Sequence, residues 1–199
     1  MSAPLAAIGA DAVHVVVDVQ RLFAEDTGWR VPTLDAVLPN IHRLVDHRPA
    51  RSLYTRFVTP PGVDAARGIW QKFYRHWPQV MQEAIAPDLF DLVASLAAKA
   101  PRGAQIDKGG FSSYTGAGFA PALERLGCGM LVLSGVETDV CVFATALEAV
   151  DRGLRVVIAT DAVTSTSIPA HRAALDHILP RFEHLIDLAP TDVVLAAWR

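Results

Sequence analysis

Four short runs of apolar residues, Val13–Val17, Leu53–Val58, Met130–Leu133 and Arg155–Ala159, constrain the fold of this chain more than any other feature. Weaker runs lie at Ala104–Asp107 and His184–Leu188. In most of them apolar side chains fill consecutive positions instead of alternating with polar ones. A strand with one wet face alternates, because successive side chains point to opposite sides; a strand covered on both faces does not. The runs therefore predict a parallel sheet enclosed by helices. Between them the spacing turns helical. Asp139–Arg152 sets Val140, Phe143, Leu147 and Val150 on one face and stops at Gly153; Ala120–Leu126 stops at Gly127 in the same way. Further helices are predicted over Leu38–His47, Asp88–Ala98, Pro169–Arg181 and Thr191–Trp198, with Pro39 and Pro169 in first turns. Alternation of this kind reads as α/β: a three-layer α/β/α domain over residues 1–199, built on a six-stranded, mainly parallel sheet with right-handed crossovers.

With 51% of its 199 residues hydrophobic, the chain can build a sizeable core, which excludes disorder as a description of the whole. Eighteen Lys and Arg against 21 Asp and Glu, with no basic block, argue against nucleic acid or an anionic membrane as a partner. The apolar stretch Val13–Val19 is broken by His14 and Asp18 and is too short to span a bilayer. Met1–Ala10 has neither a basic start nor a sustained apolar segment, so no secretory leader is read there. Two cysteines, Cys128 and Cys141, make no disulfide framework and suggest a reducing, cytoplasmic setting. Residues 59–87 are the least regular stretch and gather Trp70, Phe73, Tyr74 and Trp77. That segment suits a wall or lid over a site, or packing on the sheet edge or on a partner subunit.

Ligands of an open parallel sheet bind beyond the carboxyl ends of its strands. The first strand ends in Asp18–Val19–Gln20, the third in Asp107–Lys108, and the fourth in Ser134–Gly135 ahead of the helix that carries Cys141. A carboxylate, an amine and a thiol thus reach one rim. Individually they have plain readings: a strand-end cap, a solvated lysine, a packed cysteine. Together they suit nucleophilic catalysis, with Asp18 taking the thiol proton and Lys108 offsetting charge. Placed in the first turn of its helix, Cys141 is predicted to titrate below the free-thiol value of about 8.5. Cys128, between Gly127 and Gly129, reads as structural.

Three strings carry a family resemblance: Val15–Val16–Val17–Asp18–Val19–Gln20–Arg21–Leu22–Phe23, Ile106–Asp107–Lys108, and Gly135–Val136–Glu137–Thr138–Asp139–Val140–Cys141–Val142. In this order they resemble the signature segments of the isochorismatase-like cysteine hydrolases, among them N-carbamoylsarcosine amidases, ureidoacrylate and biuret hydrolases, nicotinamidases and isochorismatases. The resemblance runs from about Ala12 to Leu188. It implies a Rossmann-like six-stranded sheet, an Asp18–Lys108–Cys141 triad, and a cis peptide before Glu137. It also implies an oxyanion site made by the backbone N–H groups of Glu137 and Cys141, and a homo-oligomer, dimer or tetramer. Thr138 and Asp139 read as helix caps.

Departures from the family pattern narrow the reaction. Nicotinamidases carry an Asp-x-His metal site after the second strand, whereas Thr55–Arg56–Phe57–Val58–Thr59–Pro60–Pro61–Gly62 has neither residue. No metal and no other cofactor is expected. Isochorismatases commonly lack the cysteine that is present here. The leading expectation is a cofactor-independent hydrolase that cleaves an amide or ureido C–N bond of a small molecule through a cysteine thioester. Vinyl-ether hydrolysis with Asp18 as acid, and a non-catalytic ligand-binding role, are the alternatives. Gln20, Phe23, Arg56 and Trp70 are candidate substrate contacts, Arg56 as a clamp for a substrate carboxylate or, equally, as one arm of a structural ion pair. Ser165, Thr166 and Ser167 face the rim or serve as turn and cap residues. Gly109–Gly110 and Gly116–Ala117–Gly118 complete no phosphate-binding motif, and Ser112 and Ser113 sit in no nucleophile elbow.

Overall fold

A computed structural model describes residues 5–199; residues 1–4, where the segment read for a secretory leader begins, lie outside the described residues. Six strands form one sheet: β1 (Ala12–Val17), β2 (Ser52–Phe57), β3 (Gln105–Lys108), β4 (Met130–Val136), β5 (Arg155–Thr164) and β6 (Ile186–Ala189). Their order is β3-β2-β1-β4-β5-β6 and all neighbouring pairs are parallel. The helices are α1 (Arg21–Ala24), α2 (Leu34–His47), α3 (Trp70–His76), α4 (Ala94–Ala97), α5 (Phe119–Arg125), α6 (Phe143–Asp151), α7 (Ile168–Ala173) and α8 (Thr191–Ala197). Helices flank the sheet; α2 and α8 pack on each other and on β5. Every residue of β1 and β4 is buried, whereas the edge strands β3 and β6 keep half-open positions. Consecutive apolar residues in the centre and mixed ones at the edge are what a doubly covered sheet requires. Among the described residues, no helix is long and apolar enough to cross a membrane.

Two predicted helices resolve into broken pieces. In place of one helix over Asp88–Ala98 there is a 3-10 turn (Pro87–Phe90), an extended passage and the short α4. Leu92 pairs in an isolated bridge with Gln20, and the Gln20 side chain donates to the Phe90 carbonyl at 2.8 Å. These tertiary bonds hold the middle of the segment extended and override its helical spacing. The predicted Pro169–Arg181 helix begins as expected at α7, then widens into a π-turn (Ala174–Ile178) and closes in a 3-10 turn containing Pro180. Helix α2 starts at Leu34, four residues early, which puts Pro39 inside it and not in its first turn.

Two buried polar details set the centre of the sheet. His14 on β1 is fully buried, its Nε2 lies 2.8 Å from Ser134 Oγ on β4, and burial pushes its pKa down to about 3. Gly135 has φ +107°, and a Cβ built there would stand 2.1 Å from the Val17 carbonyl oxygen. The ends of β1 and β4 come this close only because position 135 has no side chain. Gly135→Ala is expected to lower stability by at least about 2 kcal/mol. Urea unfolding checks this, and an unchanged midpoint would show that the two strand ends are free to separate. Because His14 is neutral in the fold but protonates below about 6.5 when unfolded, its contribution is complete above that pH and is lost as the pH falls towards 3.

Candidate active site

The order β3-β2-β1-β4 reverses direction between β1 and β4, the place where an open parallel sheet parts to admit a ligand. Asp18 follows β1 directly and has a left-handed backbone, φ +54°. A non-glycine residue in that region is strained by on the order of 1 kcal/mol or more and persists where the surroundings fix it. Here they do. The Asp18 N–H reaches the Thr55 carbonyl at 3.2 Å, and Thr55 Oγ1 donates to Asp18 Oδ1 at 2.8 Å. Lys108, the last residue of β3, places its Nζ 2.8 Å from Asp18 Oδ2, and both side chains are 0% exposed. The same ammonium donates to the carbonyls of Gly110 and Phe111, at 2.9 Å each, and to Cys141 Sγ at 3.4 Å. One face of Phe57 lies 4.6 Å below it. Three segments distant in sequence therefore bring Asp18, Lys108 and Cys141 into contact, as the rim argument predicts.

Cys141 rides on a π-turn (Thr138–Val142) that runs into α6. Val140 and Val142 N–H groups both donate to the Glu137 carbonyl, at 3.1 and 3.0 Å, and the Val136–Glu137 peptide is cis. Thr145 Oγ1 donates to the Cys141 carbonyl at 2.7 Å and accepts from the Ser113 N–H at 2.9 Å. Ser113 thus helps, through Thr145, to fix the backbone of Cys141. Thr138 departs from the capping role read for it: its hydroxyl lies 2.8 Å from His171 Nδ1, and its N–H donates to Ser165 Oγ. Ser167 is a cap, accepting from the Ala170 N–H. The Glu137 side chain accepts the Thr166 N–H at 2.7 Å, so the loops after β4 and β5 are tied together.

The thiol departs from its expected electrostatics. Burial first, and the charge of Asp18 second, push the Cys141 pKa well above the usual thiol range, and Lys108 offsets only part of this. Removal from water and the neighbouring carboxylate disfavour a charged sulfur by more than the Lys108 ammonium favours it. At neutral pH the neutral thiol is therefore the favoured form of Cys141. Cys128 is half-buried and also raised, chiefly by burial.

A cavity of about 350 Å³ opens at Cys141, which is 6% exposed. Its walls are Phe23, Gly28, Trp29, Phe57, Phe73, Trp77, Phe111, Glu137, Val140 and Thr166. Of the substrate contacts read from sequence, Phe23 is in the wall. Gln20 is not: it is buried and clamps β2, accepting from the Phe57 N–H at 2.6 Å and donating to the Phe57 carbonyl at 3.1 Å. For Arg56 the structure shows the ion-pair alternative and not the clamp. Neighbouring strand residues face opposite sides, so with Phe57 in the cavity, Arg56 points away from it and binds Asp107 and Asp91 at 2.7 and 3.0 Å. Trp70 stands behind the wall, with its ring 4.9 Å from Phe111, and lines a neighbouring pocket. Trp29 was not singled out in the sequence; it sits among Phe23, Phe57, Phe73 and Trp77 with ring centroids 5.6–6.2 Å away. Thr55 was missed too, although a hydroxyl inside an apolar strand beside the one ending in Asp18 was a usable signal. Among the described residues, no three His, Cys, Asp or Glu side chains converge to hold a metal ion, so the site does not fit the metal of the nicotinamidases.

Alkylation by iodoacetamide checks the electrostatics. Cys141 is expected to react slowly at pH 7, with a rate that keeps rising above pH 9; a plateau below pH 8 would show a pre-formed thiolate. In stability the sign is the same. The folded state holds this proton more tightly than the unfolded chain, so the contribution is complete below about pH 8.5 and is lost as the pH rises beyond it. Cys141→Ala removes that alkaline slope.

The isochorismatase domain model matches residues 12–190. The secreted isochorismatase effector Isc1 of Verticillium dahliae is 28% identical over 174 residues, 86% of this chain and 82% of that protein. Nicotinamidase 3 of Arabidopsis thaliana is 30% identical over 82 residues, 41% of each chain. The matched stretch thus spans well under two thirds of that relative, and only 39% of the isochorismatase family protein PncA of Bacillus subtilis. Among solved structures, a cysteine hydrolase from Pseudomonas syringae superposes with a TM-score of 0.77 at 22% identity, covering 99% of this chain and 98% of that one. N-carbamoylsarcosine amidase from Thermoplasma acidophilum gives 0.71 at 19% identity, covering 91% and 96%. The chain belongs to the isochorismatase family, and its fold is that of the cysteine hydrolases in it.

Proposed function

We propose that the protein hydrolyses an amide-type C–N bond of a small molecule through a thioester on Cys141. The contact of Cys141 Sγ with Lys108 Nζ at 3.4 Å, beside the Lys108–Asp18 pair at 2.8 Å and at the floor of a cavity, carries this reading. In the first half-reaction sulfur attacks the carbonyl carbon and its proton passes to Asp18. The tetrahedral intermediate then collapses, the C–N bond breaks, and Asp18 returns that proton to the leaving nitrogen. In the second half, water attacks the thioester, gives a proton to Asp18 and releases the acid; sulfur recovers the proton. Backbone N–H groups of Glu137 and Cys141 stabilise the oxyanion in both halves. Lys108 keeps the summed charge of carboxylate and sulfur close to neutral throughout, which matters in a site closed to water.

A raised thiol pKa supports the base role of Asp18, since a neutral thiol needs a partner to take its proton as the bond forms. Vinyl-ether cleavage would leave the sulfur idle, and the Lys108–sulfur contact favours a reaction that uses it. Two free thiols suit a reducing, cytoplasmic setting. Ammonia release from a panel of small amides and ureido compounds tests the reading. Cys141→Ala is expected to lower turnover by at least about 10³-fold, with Asp18→Asn close to it, because groups that act as one unit fail together. Undiminished turnover by Cys141→Ala would overturn the thioester route.

A further inference from the structure

Six of the eleven residues lining the cavity at Cys141 are aromatic, and its charge is one-sided. Phe23, Trp29, Phe57, Phe73, Trp77 and Phe111 surround it, and Glu137 is the one ionic side chain lining it. Among the described residues, no lysine or arginine lines it. The two cations that sequence places near it are both committed. Lys108 is enclosed, its three protons matched by the Gly110 and Phe111 carbonyls and the Cys141 sulfur, with Asp18 against it. Arg56 faces the other side of the sheet and is held by Asp107 and Asp91. Arg30, exposed near Thr166, does not line the cavity. A substrate carboxylate entering here would lose its hydration, find no counter-charge among the lining residues, and meet the Glu137 carboxylate.

We propose that the cavity takes uncharged carboxamides with an aryl or branched apolar acyl group and rejects anionic ones, with Glu137 as a specificity-determining residue. This deepens the hydrolase reading and rests on the same cavity being the substrate pocket. Glu137 acts by charge. Its Oε2 accepts the Thr166 N–H at 2.7 Å, a bond that favours the carboxylate staying beside the cavity. Discrimination comes from building an unfavourable contact against the wrong ligand, not from a special contact to the right one.

Equilibrium dialysis with the Cys141→Ala protein reads binding without turnover. The probes are 4-nitrobenzamide and 4-carbamoylbenzoate, which share shape and amide and differ in charge. The neutral probe is expected to bind at least about tenfold tighter. Glu137→Gln in the same background keeps an oxygen that accepts the Thr166 N–H, and is expected to narrow the ratio at least about threefold. Equal or tighter binding of the anion, or no saturable binding of either probe, would overturn the proposal. An unchanged ratio in the Glu137→Gln protein would remove Glu137 from it. If the binding ratio holds while the wild-type protein releases no ammonia from 4-nitrobenzamide, the thioester reading fails and this one stands.

Discussion

The ion pair between Asp18 and Lys108 is the constraint on which the rest of the site depends. Both side chains are sealed from water, and two charges taken out of water cost several kcal/mol each before their attraction is counted. Such a pair is retained when the surroundings satisfy it, and here they do so from four directions: Thr55 on one carboxylate oxygen, and two carbonyls and a sulfur on the ammonium. Those partners come from β2, from the loop after β3 and from the turn after β4. The ion pair therefore requires the sheet order that brings these ends together, and in return fixes where each of them stops.

The pair also explains why the sulfur behaves as it does. In open solvent a lysine at 3.4 Å would draw the thiol towards its thiolate, but this ammonium is shared with a carboxylate that also faces the sulfur. What remains is a buried thiol beside a proton acceptor. A thiol held neutral is also less open to oxidation than a thiolate would be.

The sheet was legible in the sequence because burial on both faces leaves an unbroken apolar signature, and β1 and β4 carry it most strongly. The meeting of Asp18, Lys108 and Cys141 was legible because Asp18 and Lys108 fall where apolar runs end and Cys141 follows closely on a third. Three things were not legible, each for a reason. The passage Asp91–Val93 is extended because Gln20 binds it from another part of the chain, which no local pattern encodes. Which of the two readings held for Arg56, clamp or ion pair, depended on the two-residue period of β2, where a shift of a single position exchanges the faces. The direction of the Cys141 pKa depended on how completely the turn is enclosed, and a helix-terminus argument from sequence takes no account of enclosure.

The aromatic segment between β2 and β3 adds a final point. Phe73 and Trp77 reach the cavity from α3 and the turn after it, outside the hydrogen-bonded ladder. Strand register, which is strict, places Asp18, Lys108 and Phe57, while a stretch free of register adds two of the chamber's six rings. Insertions or deletions there can resculpt the space above the sulfur and leave the strand termini in place, since longer loops add little closure entropy. Change of clientele and conservation of machinery are thus written into separate parts of one chain.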